Sequence, residues 1–525
     1  MDAHADTALI DAEAYSVTPK TAELPWRRLG PTAVLGFLAT LSIVGGALLG
    51  GSSYETHLPG AWFFAMPGGL FGSIGSQHGH PPIYAVVAVY GGLLILTRVW
   101  LGLLRQLTAH RGVAVKKVVL VVVVWTLPLL FAPPLFSRDV YSYAGQGEMV
   151  SHNIDPYVYG TGVLGVTPFS TMPDSIWTNT PSPYGPTFLS IDGLLDKASG
   201  HKILPDILLL RLLELAGIAL IVGATPSLAR RYGRDPAQAV LLGAGCPLVL
   251  MTLVGGAHNE GLMLGLLMAG LAVAQRWRFA PGIVLCAAAT GVKASAALGI
   301  LFLGWTWAGP DASIRRRVAH TFGAGLIALA TLEVISLATG TSWLWVRTST
   351  AANKSFTAVT PVNAASKVLS KAASVVHIHF SALGVRPVFT VLGLTCATAI
   401  AIWLLLKSPD FGLNRNLGLA FLVFAVMGPI LWNWYVTWGV IVLAPIAAGS
   451  LRRIVIAVST FEVFVGASSV KNLLGTVLSA GLLPDLVLVA AIFTLAIVPL
   501  AQFGRTRPER ALLPETTHAL AGAQA

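Results

Sequence analysis

Arg138 and Asp139 put a carboxylate beside a cation, and they open the longest polar interruption of the chain, Ser137 to Pro186. Seven aromatic residues lie in that stretch (Tyr141, Tyr143, Tyr157, Tyr159, Phe169, Trp177 and Tyr184), and Phe188 follows it. Rings beside a carboxylate suit a sugar or a lipid headgroup. Further on come His258, Asn259 and Glu260 in GGAHNEG, Lys293 within a long apolar run, and Trp432, Trp434, Tyr435 and Trp438 in PILWNWYVTWGV. One carboxylate that deprotonates an acceptor hydroxyl, with Lys, Arg and His to neutralise a departing phosphate, is a sufficient set for a single displacement. Glycoside hydrolysis would require a second carboxylate. Asp139 is the candidate base, and Arg138, His258 and Lys293 are the candidate cations.

The elements that must position these residues are membrane spans. Of 525 residues, 55% are hydrophobic and 11% charged, and the mean hydropathy is +0.73, against about a quarter charged in soluble domains. The fold class expected is an all-α polytopic membrane protein. At roughly 20 apolar residues per crossing, about fourteen spans are read. They fall near residues 32–51, 83–104, 118–136, 204–228, 236–254, 259–275, 280–292, 294–310, 318–339, 387–406, 416–432, 435–450, 454–470 and 485–503. Residues 1–30 and 505–525 are expected to be cytoplasmic tails around a membrane-embedded catalytic region, 31–504. Of the 34 Lys and Arg, this reading places 22 on the side of the N-terminus, ten opposite and two within spans. The positive-inside rule then makes both termini cytoplasmic and the Ser137 loop extracytoplasmic. It also accounts for the net charge of +11 without a nucleic-acid partner. Cys246, Cys286 and Cys396 all lie in expected spans, so no disulfide framework is implied.

Each candidate also has a plainer reading. PTFLSIDGLLDKASGHKILPD, with Asp192, Asp196 and Lys197, is too polar to cross and is expected to be an amphipathic helix on the outer interface. Arg211 and Glu214, at i and i+3, are expected to pair within the bundle. Asn259 reads as the N-cap of the next helix, which leaves His258 and Glu260 to be explained by a phosphate held at the helix start. Lys293 is a snorkelling lysine or a phosphate ligand. Trp343 and Trp345 read as surface anchors in a basic loop that also carries Arg347, Lys354, Lys367 and Lys371, and the tryptophans around Trp434 as an interfacial belt or a sugar-stacking platform. His78 and His80 lack a third partner at usable spacing for a metal.

Walker, dinucleotide and Cys/His-cluster motifs are absent from the sequence. A transporter or flippase of a lipid-linked sugar would need charges along a path across the membrane. Only Arg211, Glu214, Glu333 and Glu462 are read as deep, and they form no evident relay.

SRDVYSYAGQGEMVSHNIDPYVYG, PSPYGP, GGAHNEGLMLGLLMAGL, GVKASA and GPILWNWYVTWG occur in that order between Lys117 and Lys471. Together they resemble the actinobacterial polyprenol-phosphomannose-dependent alpha-1,6-mannopyranosyltransferases that build the lipomannan core, the B type more than the A type. The resemblance implies a GT-C fold whose first long outer loop carries the catalytic aspartate, here Asp139. It implies substrate-binding roles for Arg138 and Tyr141, for Tyr184, for His258, Asn259 and Glu260, for Lys293, and for Trp434 and Tyr435. It further implies a polyprenyl-phosphate-mannose donor, a mannosylated lipid acceptor and inversion from beta to alpha. No cofactor is expected: a monophosphate can be neutralised by protein cations, and Asp139, Glu148 and Asp155 are widely spaced for a metal pair. The family usually has a proline before the Trp-Tyr pair, where this chain has Asn433.

Overall fold

The computed structural model describes residues 24–50, 83–276, 278–349, 360–375, 377 and 382–466. His78, His80, Lys354, the expected span 485–503 and both expected tails, save residues 24–30, lie outside them. Among the described residues every regular element is a helix, as a chain with this hydropathy requires, because in lipid a helix satisfies its own backbone.

Five helices are long and apolar enough to cross a membrane, or six if one bent pair counts as a span. The first two are α1, Trp26–Gly50, and α2, Ile83–Ala109. After them α3 (Val115–Leu130) leads to α4 (Asp139–Ser151), α5 (Pro186–Ser199) and the long α6 (Ile203–Arg231). The bent pair is α7 (Pro236–Leu242) and α8 (Pro247–Gly255), set at 47°. Shorter apolar helices follow: α9 (Glu260–Ala274), α10 (Phe279–Val292) and α11 (Ala294–Trp307). The chain continues with α12 (Ile314–Thr339), α13 (Pro361–Val375) and α14 (Ala382–Leu406). The last described helices are α15 (Leu413–Met427), α16 (Asn433–Ile446) and α17 (Gly449–Gly466). The fourteen expected spans thus include several helices of 10–17 residues. They stop early because the chain breaks where site residues have to leave a helix, at Gly256, Lys293 and Gly428.

The polar stretch from Ser137 is an ordered cap. It holds α4, short turns at Thr161–Leu164, Pro168–Thr171 and Ser175–Trp177, and then α5. The segment from Pro186 is a helix, α5, as expected. It is amphipathic, but its acids face inward: Asp192 and Asp196 are fully buried while Leu194 is 65% exposed. Packing against α4, itself polar, reverses the usual orientation. Trp345 is likewise buried rather than a surface anchor, and its neighbour Thr348 donates to the Ser182 carbonyl at 2.6 Å. Glu333, in α12, is exposed at the helix surface and accepts from Trp343 Nε1 at 2.6 Å.

Arg211 and Glu214 do not pair, because each serves the end of a different helix. The Arg211 guanidinium donates to the carbonyls of Leu130 and Ala132 at the end of α3 and to that of Gly255 at the end of α8. Glu214 accepts from the Leu262 N–H at 2.8 Å, in the first turn of α9. The Glu214 contact requires α6 to lie very close to α9. A Cβ on Gly217 would fall 2.3 Å from the Gly261 carbonyl, and one on Gly265 would fall 2.4 Å from the Gly217 carbonyl. This is the small-residue contact by which membrane helices approach backbone to backbone.

Gly217→Val should therefore force α6 and α9 apart, at a cost on the order of 1–3 kcal/mol. The melting temperature in detergent should drop, and an unchanged value would show that the contact does not hold the bundle.

Candidate functional site

The site forms where four chain breaks meet. The first leaves α3 through Phe136 and Ser137 into α4, the second leaves α8 through Ala257 and His258 into α9, the third lies between α10 and α11 at Lys293, and the fourth precedes α16 at Trp432. Asp139 is the first residue of α4, and its N–H donates to Ser137 Oγ at 3.1 Å. At a helix start the carboxylate sits at the positive end of the helix dipole.

Asp139 Oδ2 lies 3.6 Å from His258 Nδ1. The imidazole is 2% exposed and the carboxylate 19%, so the acid faces the open side and the histidine backs it. His258 stacks on Trp434 with ring centroids 3.7 Å apart and planes inclined by 22°. Burial, helped by the nearby Lys293 charge, pushes the His258 pKa well below its ordinary value, so the ring is neutral. Residues ahead of both members of the pair hold the left-handed backbone that side chains usually avoid: Phe136 has φ +63° and Ala257 φ +51°. Two sharp turns therefore aim Asp139 and His258 at each other.

Lys293 is the second focus. Its ammonium donates to Glu260 Oε1 and lies 4.8 Å from the centre of the Tyr435 ring, and 5.8 Å from those of Tyr184 and Trp438. Burial works against its charge, but Glu260 and the phenol of Tyr435 outweigh that, so its pKa is raised and it stays an ammonium. The PYGP segment sets this geometry. Gly185 comes so close to α10 that a Cβ would lie 2.5 Å from the Gly291 carbonyl, two residues before Lys293.

The residues expected from sequence are thus largely gathered. Asp139, His258 and Trp434 form one contact chain, and Glu260, Lys293, Tyr184 and Tyr435 form another. The two join at Trp434 and Tyr435, whose rings meet edge to face at 6.2 Å. The aromatic block belongs to the site and not to an interfacial belt: Trp434 is 6% exposed and Trp438 7%. Asn433 opens α16 and packs against the last described helix, where a Cβ on Gly466 would meet its amide. Arg138 sits at the head of α4, and its charge reaches the buried Tyr141, whose pKa burial raises while Arg211 and Arg138 pull it down.

One expectation is corrected, that of the Asn259 cap. Asn259 makes no capping hydrogen bond. Its side-chain oxygen and nitrogen are buried without a partner, because Glu214 from α6 has taken the N–H groups at the start of α9. A phosphate at that helix start would therefore meet side chains rather than the helix N–H groups. Glu148 and Asp155 do not approach Asp139 either: Asp155 accepts from the Tyr157 N–H in its own turn, and Glu148 pairs with His201. Sequence reasoning missed Tyr143, fully buried and edge-on to Tyr184 at 5.2 Å, as the support behind the site. Its only signal was the alternation of Tyr141 and Tyr143 beside Asp139.

Residues 33–309 match the family described as alpha-(1→6)-mannopyranosyltransferase, N-terminal domain, and residues 363–500 match the MptB C-terminal domain. The chain is similar to alpha-(1→6)-mannopyranosyltransferase A of Mycobacterium tuberculosis, 31% identical over 83% of this chain and 84% of that one. It is similar to a probable alpha-(1→6)-mannopyranosyltransferase of Mycolicibacterium smegmatis, 32% identical over 69% and 70%. To alpha-(1→6)-mannopyranosyltransferase B of Corynebacterium glutamicum it is 28% identical over 89% and 81%.

The neutral state of His258 has a thermodynamic signature. Its folded pKa lies below the unfolded value of about 6.5, so below that pH the unfolded chain binds more protons and stability falls with pH. Replacing it by His258→Gln should flatten the dependence of melting temperature on pH between 7 and 5. An unaltered slope would mean that the imidazole is not held neutral.

Proposed function

The chain belongs to the alpha-(1→6)-mannopyranosyltransferase family, and from that premise we propose that it transfers mannose from a polyprenyl-phosphate donor to an alpha-1,6-linked mannoside on a lipid acceptor, with inversion. The observation that carries this reading is the pairing of Asp139 with a neutral, buried His258 at 3.6 Å, beside an ammonium ringed by aromatic residues. Asp139 has one side toward solvent and takes the proton of the acceptor hydroxyl as that oxygen attacks the anomeric carbon. The bond from that carbon to the phosphate oxygen breaks, and the polyprenyl phosphate departs as an anion. Burial lowers the basicity of His258, so it competes poorly for that proton, and its stacking on Trp434 keeps it aimed at the carboxylate.

Lys293 supplies the fixed positive charge for the phosphate. Glu260 holds it protonated, and Tyr184, Tyr435 and Trp438 exclude water around it, which strengthens its attraction for an incoming anion. Asn259, with its amide unpartnered, offers an uncharged donor beside it. Trp432, backed by the buried Trp434 stacked on it at 5.0 Å, gives a flat surface for a sugar ring. With Glu260 held by Lys293, Asp139 is the carboxylate that acts as base in a direct displacement, so a beta-linked donor gives an alpha-linked product. No metal takes part in the transfer. The site faces the extracytoplasmic side, both termini are cytoplasmic, and the product extends the mannan core of lipomannan. A transporter gains no support from the deep charges, because Arg211 and Glu214 are occupied by helix ends.

Asp139→Asn keeps the shape and removes the base, and should lower kcat by ~10² to 10⁴ with a defined polyprenyl-phosphate-mannose donor. More than about a tenth of the wild-type rate would exclude Asp139 as the base. Lys293→Ala should raise the donor KM more than the acceptor KM, and the reverse would remove the phosphate role. Initial rates should survive EDTA, and NMR of the product should show only the alpha linkage. A beta product, or a rate abolished by EDTA well below the melting temperature, would refute the mechanism. A thiol probe should label the Ser175→Cys protein from outside intact cells, and labelling only after permeabilisation would reverse the orientation.

A further inference from the structure

At the opposite end of α4 from Asp139, a second cluster of titratable side chains takes no part in this chemistry. Glu148, Ser151 and His152 on the last turns of α4 meet Asp192 and Asp196 on α5, His201 in the turn after it, and Asp206 in the first turn of α6. His201 Nδ1 lies 3.0 Å from Glu148 Oε2 and 2.8 Å from Asp196 Oδ2, so one N–H is shared between two carboxylates. Ser151 Oγ donates to the same Asp196 oxygen at 2.5 Å. His152 Nδ1 lies 3.5 Å from Glu148 Oε1, and the two imidazoles face each other with centroids 4.9 Å apart.

The neighbouring acids lack partners. Asp192 and Asp206 are fully buried, and all four of their carboxylate oxygens are without a hydrogen-bond partner, as is Asp196 Oδ1. Asp192 is pressed against α4, where a Cβ on Gly147 would lie 2.7 Å from its Oδ1. Buried carboxylates without donors are costly. Nothing in the transfer chemistry calls for them, since Glu148 stands nine residues beyond Asp139, about 13 Å along the helix.

We infer that this cluster is a binding site for a divalent transition-metal ion of the zinc type, held by Glu148, His152, His201 and Asp196, which clamps α4 to α5. One ligand atom each from Glu148, His152 and His201 already lie within 4.8 Å of one another, so they need close only slightly to reach a common ion. The ion would replace the proton that His201 now shares between Glu148 and Asp196, a single positive centre in place of another. Two imidazoles among the ligands favour zinc over calcium, magnesium or manganese, which prefer oxygen ligands. Asp192 and Asp206 lie behind these ligands with their carboxyl oxygens unpartnered. The histidines are 51% and 44% exposed, so an ion has a path in from solvent. The ion is structural, distinct from the transfer site, and the inference does not depend on which sugar is moved.

The test uses the full-length protein in lipid nanodiscs, stripped with chelator and then supplied with Zn²⁺, Mn²⁺, Ca²⁺ or Mg²⁺ separately. Elemental analysis after gel filtration should find one Zn²⁺ per chain, and the melting temperature should rise by roughly 5 °C or more over the stripped protein. The His152→Ala/His201→Ala protein should lose both effects, and His152→Gln, which alters a single exposed ligand, should weaken retention without altering the stripped melting temperature. Retention of Zn²⁺ by the double variant at the wild-type level, a rise with Ca²⁺ alone, or no ion bound with no rise would each overturn the assignment.

Discussion

The Arg211 guanidinium is the contact on which the placement of the site depends. In a medium without water, a charge that donates to three carbonyls at the ends of two helices cannot be exchanged for solvent. It ties the end of α3 to the end of α8, seven residues before Asp139 at Ala132 and three before His258 at Gly255. One turn along the same helix, Glu214 fixes the first turn of α9 from the other side. A single element, α6, therefore sets the positions of the base, the histidine behind it and the helix that follows, although it contributes nothing to the reacting surface. The two polar side chains that look most like a relay across the membrane act as its fasteners.

The spans and the chemistry were legible to different degrees. Long apolar runs such as Ile203–Arg231 declare themselves by length alone, and the Asp139, His258 and Lys293 blocks stood out as polar residues that such runs do not need. The roles of their neighbours were not legible. Asn259 has every local feature of an N-cap, but a carboxylate 45 residues earlier does the capping, and sequence carries no sign of which helix will lie alongside. Asp192 and Asp196 read as the wet face of an interfacial helix, since periodicity gives the width of a polar stripe and not the surface it meets. The tryptophans at Trp432 and Trp434 fit an interfacial belt equally well until the fold turned them onto His258. Short helices were the remaining limit: a break such as that at Lys293 is visible as a charge in an apolar run, whereas the 47° bend between α7 and α8 leaves only Gly and Pro.

The electrostatics of the site divide into a neutral and a charged half. Burial keeps His258 uncharged next to an acid that remains partly exposed, while Lys293 stays charged despite burial because Glu260 is its partner. The aromatic rings between them serve both halves, stacking on the imidazole on one side and facing the ammonium with their electron-rich surfaces on the other. Removing Glu260 would thus change the protonation of Lys293 and through it the field felt by His258, so the residues of this site do not act additively.

The left-handed backbone at Phe136 and Ala257 has a further meaning. Glycine there would relieve steric strain but would also let each turn wander among several conformers, with the aspartate and the histidine swinging on independent pivots. A side chain held in that narrow region has few neighbouring basins to visit, so each turn is frozen at a fixed enthalpic expense borne by folding and not by the substrate. An arriving sugar then meets a site already ordered, and none of its binding energy is diverted into quieting the loops that surround it.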